Sequence, residues 1–255
     1  ELSGPCTMSE EWALPAGSNH EVRTSGTAVG RPRAVINAAQ GSRHFSVTTG
    51  ETTRLKLTHV ILTGGKVFHN ENDVSDCEAA TEIPETCKGG AIYITAGTVT
   101  LDSTIIRGCG EIEPCAYYGG GVYVNGATLI IEGGNIINTL AYKRAGAVYA
   151  SEGAIVKILG GSEFVNNKAL HGPGGAIYLD GNAELECNGG ENKFTGNSAV
   201  SAGQGHSISK ASPTEQKILF DVCPPGTLQG NVTACPGPPF CTESSPSDRS
   251  NHYVN

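Results

Sequence analysis

A six-residue segment rich in glycine recurs four times along the chain at nearly constant spacing. Gly89-Gly90-Ala91-Ile92-Tyr93-Ile94 is followed by similar segments that begin at Gly119, Ala145 and Gly174, at intervals of 30, 26 and 29 residues. Each segment is followed by a second apolar alternation and then by a third apolar position. Three short strands in a unit of this length are typical of one coil of a parallel β-helix, whose coils stack about 4.8 Å apart. We therefore predict an all-β fold, a right-handed parallel β-helix.

Alternation along the first strand of each unit assigns its two faces. The aliphatic residues that flank each tyrosine are expected to point inward. The tyrosines themselves are expected to point outward and to form a column from coil to coil: Tyr93, Tyr123, Tyr149 and Tyr178. Two units also contain the motif F-x-x-N, as Phe164 to Asn167 and Phe194 to Asn197, and asparagine suits a tight corner because it tolerates left-handed backbone conformations.

Composition and charge exclude several classes of protein. Glycine accounts for 35 of the 255 residues, which argues against a helix-rich domain because each interior glycine costs a helix about 1 kcal/mol. The net charge of −8 argues against nucleic acid as a partner, since phosphate binding depends on Lys and Arg. No apolar run approaches the roughly 18 residues that would span a bilayer, so membrane insertion is not expected.

The repeat pattern also predicts the domain boundaries. The β-helix is expected over residues 33–210, with a long insertion at 66–88 that Cys77 and Cys87 close. Residues 1–32 and 211–255 lack the pattern. They are predicted to be an N-terminal cap or extension and a Pro/Cys-rich C-terminal extension, because an uncovered terminal coil would present open strand edges.

Nine cysteines and one glycosylation sequon favour an extracellular, oxidising location. Cys77/Cys87 and Cys109/Cys115 each bracket a short polar stretch, as disulfides that staple loops do. Cys187 occupies an inward position, where a thiol behaves as a small hydrophobe. One unpaired buried thiol explains the odd number of cysteines, and an intermolecular disulfide is the alternative. The remaining four cysteines allow three pairings among themselves; they are Cys6, Cys223, Cys235 and Cys241. The sequon at Asn231 predicts a secreted glycoprotein.

The pairing of GGAIY with FVNN and FTGN resembles the GGAI/FxxN repeats of the polymorphic outer membrane protein (Pmp) family. The match covers roughly residues 33–210. The resemblance implies cell-surface display and adhesion, in chains that also carry a membrane barrel. The cysteines and the sequon of this chain instead suggest a eukaryotic secretory route.

The tyrosine column is the most suggestive candidate site. Outward aromatic rings at one coil position could bind sugar rings or pack against a neighbouring protein. The alternative is that the rings only stack on one another and shield a sheet face.

The other candidates for chemistry are weaker. Asp102 and Glu132 occupy equivalent positions in adjacent coils, where two carboxylates could bind Ca²⁺ or act as an acid/base pair, or could simply be solvated. Gly205-His206-Ser207 is faintly similar to the G-H-G signature of polygalacturonases. The N-T-D and D-D carboxylates that those enzymes need are absent from this sequence, and so is the pectate lyase pattern. We predict no catalytic residue, no metal site and no cofactor.

These observations favour a secreted, non-catalytic structural or adhesion protein of a cell surface, extracellular matrix or filament. Its expected partners are other copies or other extracellular proteins. A polysaccharide-binding or polysaccharide-cleaving β-helix is the alternative.

Overall fold

The computed structural model describes residues 5–24, 33–38, 41–68, 71–108, 113–188, 192–199, 207–211, 217–220 and 241–243. Over these residues the chain is almost entirely β-strand, and the strands of successive coils pair in parallel. The predicted all-β parallel solenoid is confirmed.

The strands form three long sheets, which the chain visits in turn. Sheet I contains the strands of the glycine-tyrosine segments: β2 (Trp12–Ala13), β5 (Phe45–Val47), β8 (Ile92–Ile94), β12 (Val122–Asn125), β16 (Val148–Ser151), β20 (Ile177–Leu179) and β24 (Ile208–Lys210). Sheet II contains β3 (Asn19–Arg23), β6 (Arg54–Thr58), β9 (Thr98–Asp102), β13 (Thr128–Glu132), β17 (Ile155–Leu159), β21 (Glu184–Asn188) and β25 (Lys217–Phe220). Sheet III contains β1 (Cys6–Thr7), β4 (Ala34–Asn37), β7 (Val60–Thr63), β10 (Ile105–Arg107), β14 (Asn135–Ile137), β18 (Glu163–Val165), β22 (Asn192–Thr195) and β26 (Cys241–Glu243).

A fourth, shorter sheet departs from the predicted three strands per coil. Sheet IV lies between sheets III and I along the chain and contains β11 (Ala116–Tyr118), β15 (Leu140–Arg144), β19 (Lys168–Ala169) and β23 (Ser198–Ala199). The residues between the F-x-x-N corner and the next glycine corner are numerous enough to pair with their equivalents in the neighbouring coil. Extended backbone groups gain partners in this way.

Residues at equivalent positions of successive coils stack into columns, and the aliphatic columns fill the interior. Ile92 pairs with Val122, Val122 with Val148, and Val148 with Ile177, all in register and all fully buried. The inward residues of sheets II and III join the same cluster. Burial of this continuous apolar column, at about 25 cal/mol per Å², provides the main stabilisation of the fold.

The glycine corners bring the backbones of adjacent coils too close for a side chain. A Cβ atom on Gly146 would lie only 2.2 Å from the carbonyl oxygen of Gly175. Gly119 has a φ of +64°, which glycine adopts without strain. Ala145 keeps a similar φ of 59° at the equivalent position, so the third segment differs in its residue and not in its backbone.

The asparagines of the F-x-x-N motifs form a buried hydrogen-bonded column at the corner that follows sheet III. Asn167 Nδ2 donates to Ile136 O at 2.9 Å and to Asn197 Oδ1 at 3.0 Å. Asn167 Oδ1 accepts from the backbone nitrogen and the hydroxyl of Thr139, at 3.1 and 2.7 Å. The asparagines therefore satisfy backbone groups that the corner would otherwise leave unpaired inside the protein.

The insertion at 66–88 has the predicted position and the predicted disulfide. It contains the helix α1 (Glu71–Ala79) and a 3-10 helix (Glu85–Cys87), and the Cys77–Cys87 disulfide joins the two. The Cα atoms of the two cysteines are 6.2 Å apart. The disulfide thus holds the two short helices together, and it packs against Tyr117 of sheet IV.

The paired strands of the solenoid extend beyond the predicted boundaries at both ends. Strands β1, β2 and β3, within residues 1–32, pair in register with β4, β5 and β6 and form a complete coil. Strands β25 and β26, within residues 211–255, likewise pair with β21 and β22. The first coil lacks the glycine-tyrosine signal because a coil needs only inward apolar residues, here Leu14 and Val22, to pack on the next one.

The predicted disulfide between Cys6 and one of the C-terminal cysteines is not formed, because Cys6 is a free thiol. Cys6 lies on β1 and Cys241 on β26, at opposite edges of sheet III. Seven strand spacings separate them, about 34 Å, whereas the Cα atoms of a disulfide lie within about 7 Å. Cys223, Cys235 and the sequon at Asn231 lie outside the described residues.

The two other cysteine predictions concern the middle of the chain. Cys115 is disulfide-bonded, and its predicted partner Cys109 lies outside the described residues. Cys187 is a fully buried thiol in the aliphatic core, at the inward position predicted for it.

Candidate functional site

The four repeat tyrosines form one continuous stack on the outer side of sheet I. Tyr93, Tyr123, Tyr149 and Tyr178 are paired in register. Their ring centroids are separated by 5.4, 5.2 and 5.6 Å, with the rings nearly parallel. The rings form a cluster separate from the aliphatic core, so they point away from the interior as predicted.

The tyrosine stack is nevertheless covered by neighbouring side chains in this structure. Each ring is only 4 to 5 % exposed. Lys88 lies over Tyr123, 5.1 Å from the ring centroid, and Arg144 lies over Tyr178 at the same distance. The ring of Tyr118 stacks on Tyr149 at 4.8 Å.

The covering side chains have a common origin in the sequence. Lys88, Tyr118 and Arg144 each stand immediately before the glycine corner of a coil. From there each side chain lies over the repeat tyrosine of the next coil. A long cationic or aromatic residue before the glycine corner therefore indicates, in the sequence, that the tyrosine stack is covered.

The hydroxyl group of Tyr149 is also held in place, by a hydrogen bond to an acidic side chain. Tyr149 donates to Asp180 Oδ2 at 2.5 Å, and Arg144 Nη1 lies 3.4 Å from the same oxygen. Burial raises the pKa of Tyr93, Tyr149 and Tyr178 above the ordinary value of a phenol. These phenols therefore stay protonated near neutral pH and serve packing rather than proton transfer.

A second aromatic cluster lies between the insertion and sheet IV. Phe68 and the Cys77–Cys87 disulfide pack with Tyr117, which is 3 % exposed. Tyr117 stacks on Tyr142, with 5.5 Å between the ring centroids. The ring of His171 contacts Tyr142 at 4.5 Å and is tilted by 51°. Burial raises the pKa of Tyr117 to about 12. The column starts beneath the insertion and ends at His171, which is exposed.

A cleft of about 420 Å³ opens where the insertion meets the loop that leads into β5. Its lining combines apolar, acidic and basic groups from both segments and from Glu11, which precedes β2: Glu11, Gly41, Ser42, Arg43, Val67, Phe68, Asp73, Asp76, Cys77, Pro84, Thr86 and Cys87. Clefts of roughly 300–1,000 Å³ with a few convergent polar groups are the usual form of ligand sites. No motif in the sequence predicted this cleft, because residues about 30 to 75 positions apart form it.

Arg43 connects the cleft to the tyrosine stack. Its guanidinium lies over Tyr93, 4.9 Å from the ring centroid, and Nη2 donates to Glu85 O at 3.0 Å. Nε lies 3.1 Å from Glu11 Oε2. Burial lowers the pKa of Arg43, and the nearby Glu11 carboxylate opposes that effect. The charge of Arg43 is thus largely neutralised within the wall of the cleft.

Asp102 and Glu132 are neighbours across β9 and β13, as predicted. Asp102 makes an ion pair with Lys56, with 2.9 Å between Nζ and Oδ2. The hydrogen bond to Asp102 raises the pKa of Lys56. Glu132 is exposed. The two acids therefore belong to a charged outer face of sheet II, and His206 lies outside the described residues.

Two features of the described ranges bear on metal and membrane binding. No group of three or more His, Cys, Asp or Glu residues there is arranged to hold a metal ion. Among the same residues, no helix has the length and apolar character needed to cross a bilayer.

No protein-family model, no curated protein and no solved structure matches this chain. The likeness to Pmp repeats is therefore confined to the sequence motifs, and the fold is established as a parallel β-solenoid.

Proposed function

We propose that this protein is a secreted, non-catalytic structural or adhesion module that acts as a stiff β-helical unit of a cell surface, matrix or filament. The observation that carries the proposal is the unbroken register of sheets I and II. In each of them, seven strands pair in parallel over consecutive coils. Such an array transmits load through every coil, because each coil contacts only its neighbours and all of them in the same way.

Three kinds of column reinforce this array. Tyrosines stack outside sheet I, asparagines bond one another at the corner, and Phe164 stacks on Phe194 at 4.7 Å in the core. Each column couples adjacent coils through contacts that a flexible linker lacks. Stacked aromatic pairs contribute about 0.5–1.5 kcal/mol beyond their burial.

Two further observations support an extracellular role. The Cys77–Cys87 disulfide is of the kind that persists in oxidising compartments. The resemblance of the repeats to the Pmp family implies surface display and adhesion. Polysaccharide binding or cleavage is the competing function. The burial of the tyrosine rings weakens it, because a sugar cannot reach the faces of these rings.

Single-molecule force spectroscopy tests the mechanical part of the proposal. We expect the disulfide-intact chain to resist extension and to rupture at higher force than a variant with both Tyr149→Ala and Asn167→Ala. Reduction should add only the contour length that the disulfide-closed loops hold, those of Cys77–Cys87 and of Cys115. Extension of the wild-type chain at the low force of an unstructured linker would overturn a stiff module.

An activity screen tests the non-catalytic part. The wild-type chain is incubated with neutral and acidic polysaccharides, and new reducing ends and unsaturated products are measured. We expect no turnover above a heat-denatured control. Turnover of any polysaccharide would overturn the proposal in favour of an enzyme.

A further inference from the structure

The outer face of sheet II carries opposite charges on the two sides of its central strand. β13 is the fourth of the seven strands described for this sheet, with β6 two strands away on one side and β21 two strands away on the other. The outward residues of β6 include Arg54 and Lys56, which are both exposed. The outward residues of β21 include Glu184 and Glu186. One side of the face is therefore basic and the other side is acidic.

These four charged residues stand in two rows that cross the sheet. The register of the intervening strands places Arg54 in one row with Glu184, and Lys56 in one row with Glu186. Two strand spacings, about 10 Å, separate each charge from β13. The basic and acidic groups are therefore symmetrically placed about the central strand.

The middle of the face is more apolar than its two sides. Six outward residues of β9, β13 and β17 are threonine or aliphatic, and all of them are half-buried: Thr98, Thr100, Thr128, Ile130, Ile155 and Leu159. Glu132 is exposed at the end of β13, where its carboxylate stays in contact with water. An apolar centre with a charged rim is the usual composition of a protein–protein interface.

Two charges of this face have no partner within the described part of the chain. Lys56 pairs with Asp102 at 2.9 Å, and Lys157 pairs with Glu186 at 2.8 Å. Arg54 and Glu184, in contrast, make no ion pair with any described side chain. An unpaired cation and an unpaired anion at equal distances from β13 are complementary to a second copy of the same face, turned about that strand.

We propose that two copies of this chain pack together through the outer face of sheet II, related by a two-fold axis that runs along β13. Rotation about this axis places β6 of one copy over β21 of the other. Arg54 then faces the partner's Glu184, and the symmetry forms this pair twice. Ile130 meets the partner's Ile130 on the axis. Sheets that pack face to face lie about 10 Å apart, a gap that an arginine and a glutamate side chain together can bridge.

The size of the face determines how strong such a dimer can be. Seven strands about 4.8 Å apart, each with five residues of about 3.3 Å, cover about 500 Å² in each copy, or about 1,000 Å² in the dimer. Stable interfaces of standard size bury about 1,200–2,000 Å², and smaller ones belong to weaker complexes. We therefore expect a reversible dimer with a Kd in the micromolar range. The dimer goes beyond the structural role proposed above and does not depend on it, because a β-helix of any function could pair in this way.

Sedimentation equilibrium of the full, disulfide-intact chain tests the proposal. The mass of the wild-type chain should rise with concentration from that of a monomer to that of a dimer and no further. Arg54→Glu and Glu184→Arg each place two like charges opposite each other in the dimer, at both symmetric positions. We expect either variant alone to raise the Kd by about tenfold or more.

An equimolar mixture of the two variants gives the more specific result. In a mixed dimer, the glutamates of the Arg54→Glu variant face the arginines of the Glu184→Arg variant at both positions. The mixture should therefore associate with a Kd within about threefold of the wild-type value. Restoration of this kind requires β6 to lie over β21 of the partner, so it also tests the direction of the two-fold axis.

Matched controls separate the face from the net charge of the protein. Arg107→Glu lies on sheet III and Glu82→Arg lies in the insertion, and both residues are exposed. These controls change the net charge by the same amounts, so the Kd should change by less than about twofold. Circular dichroism and the Tm of each variant establish that folded proteins are compared.

Three results would overturn the proposal. The first is a wild-type chain that stays monomeric throughout the micromolar range, or that assembles beyond a dimer. The second is an equal loss of association in the face variants and in the controls. The third is a mixture of the two face variants that associates no better than either variant alone.

Discussion

The side-chain amide of Asn167 donates a hydrogen bond to the side-chain oxygen of Asn197, 3.0 Å away, so the two F-x-x-N motifs are joined inside the solenoid. The backbone nitrogen of Asn167 donates to the same oxygen at 3.0 Å. The motif is therefore a link between coils as well as a corner within one coil.

Removal of this link should destabilise the whole fold. Asn167→Ala leaves Ile136 O and two donor groups of Thr139 without their partner in a buried corner. We expect the free energy of unfolding to fall by about 2–4 kcal/mol, since each stranded group costs about 1–3 kcal/mol. Urea unfolding measures the change. Asn182→Ala, in an exposed turn, is the control and should change stability by less than about 0.5 kcal/mol. Similar losses of stability in both variants would contradict a role for the buried asparagine column.

Tyr149 should stabilise the fold through both its hydroxyl group and its ring. Tyr149→Phe removes the hydrogen bond to Asp180 and should cost about 1.5–3 kcal/mol, the range for a bond to a charged acceptor. Tyr149→Ala also removes a ring stacked between Tyr123 and Tyr178, and should cost about 3–5 kcal/mol. Thermal or urea unfolding measures both. Tyr142→Phe is the control, because the Tyr142 hydroxyl makes no hydrogen bond within the described part of the chain; a larger effect there than at Tyr149 would refute this ranking.

His44 should make the protein sensitive to mild acid. Its ring is fully buried, with Nε2 3.0 Å from Ile36 O and 3.1 Å from Thr63 O, so Nε2 carries the proton of the neutral ring. Burial lowers its pKa from 6.5 to about 4. Because the unfolded chain binds the second proton more readily, stability present above pH 6.5 is lost as the pH falls toward 4, by about 2–3 kcal/mol.

The comparison between two histidine variants isolates this effect from that of the carboxylates. His44→Asn should flatten the loss of stability between pH 7 and pH 4.5, measured by urea unfolding at each pH. His59→Asn is the matched control, since His59 is exposed and its φ of 56° is one that asparagine tolerates. An unchanged pH dependence in His44→Asn would exclude His44 as its source.

The Cys77–Cys87 disulfide should stabilise the insertion rather than the solenoid. The two cysteines are 10 residues apart, and closure of so short a loop is worth about 2–3 kcal/mol. In the Cys77→Ala, Cys87→Ala variant we expect faster hydrogen exchange and proteolysis within 66–88, with sheets I and II still protected. Hydrogen-exchange mass spectrometry measures this. Loss of protection throughout the chain would instead make the insertion part of the folding core.

The register of the solenoid could be predicted from the sequence because glycine and tyrosine mark equivalent positions in each coil. Once Tyr93 and Tyr123 are aligned, the inward residues Ile92 and Val122 are aligned as well, and side-chain alternation assigns the faces. The disulfide at Cys77–Cys87 followed from its short polar loop. The register and the faces depend on periodicity along the chain alone, and the disulfide depends on the short distance in sequence between its two cysteines.

The covering of the tyrosine stack and the position of the cleft could not be predicted in the same way. Whether Arg144 lies over Tyr178 or extends into solvent depends on the length and direction of a side chain that folds back across a corner. The cleft depends on how α1 packs against Tyr117 and Arg43, which are distant from it in the chain. The first coil was missed because Trp12 and Val22 carry no repeat signal beyond being apolar.

The common register of sheets I and II makes a single coil an interchangeable unit of length. Val122 and Val148 occupy the same column, as do Leu129 and Val156. Excision of residues 122–147, with Gly121 joined to Val148, would therefore preserve every column and shorten the molecule by one strand spacing, about 4.8 Å. Duplication of the same segment would lengthen it by that amount. In lineages of this chain, insertions and deletions should accordingly comprise whole coils of 26 to 30 residues or fall within the corners. Any other change in length would rotate the interior side chains out of their columns.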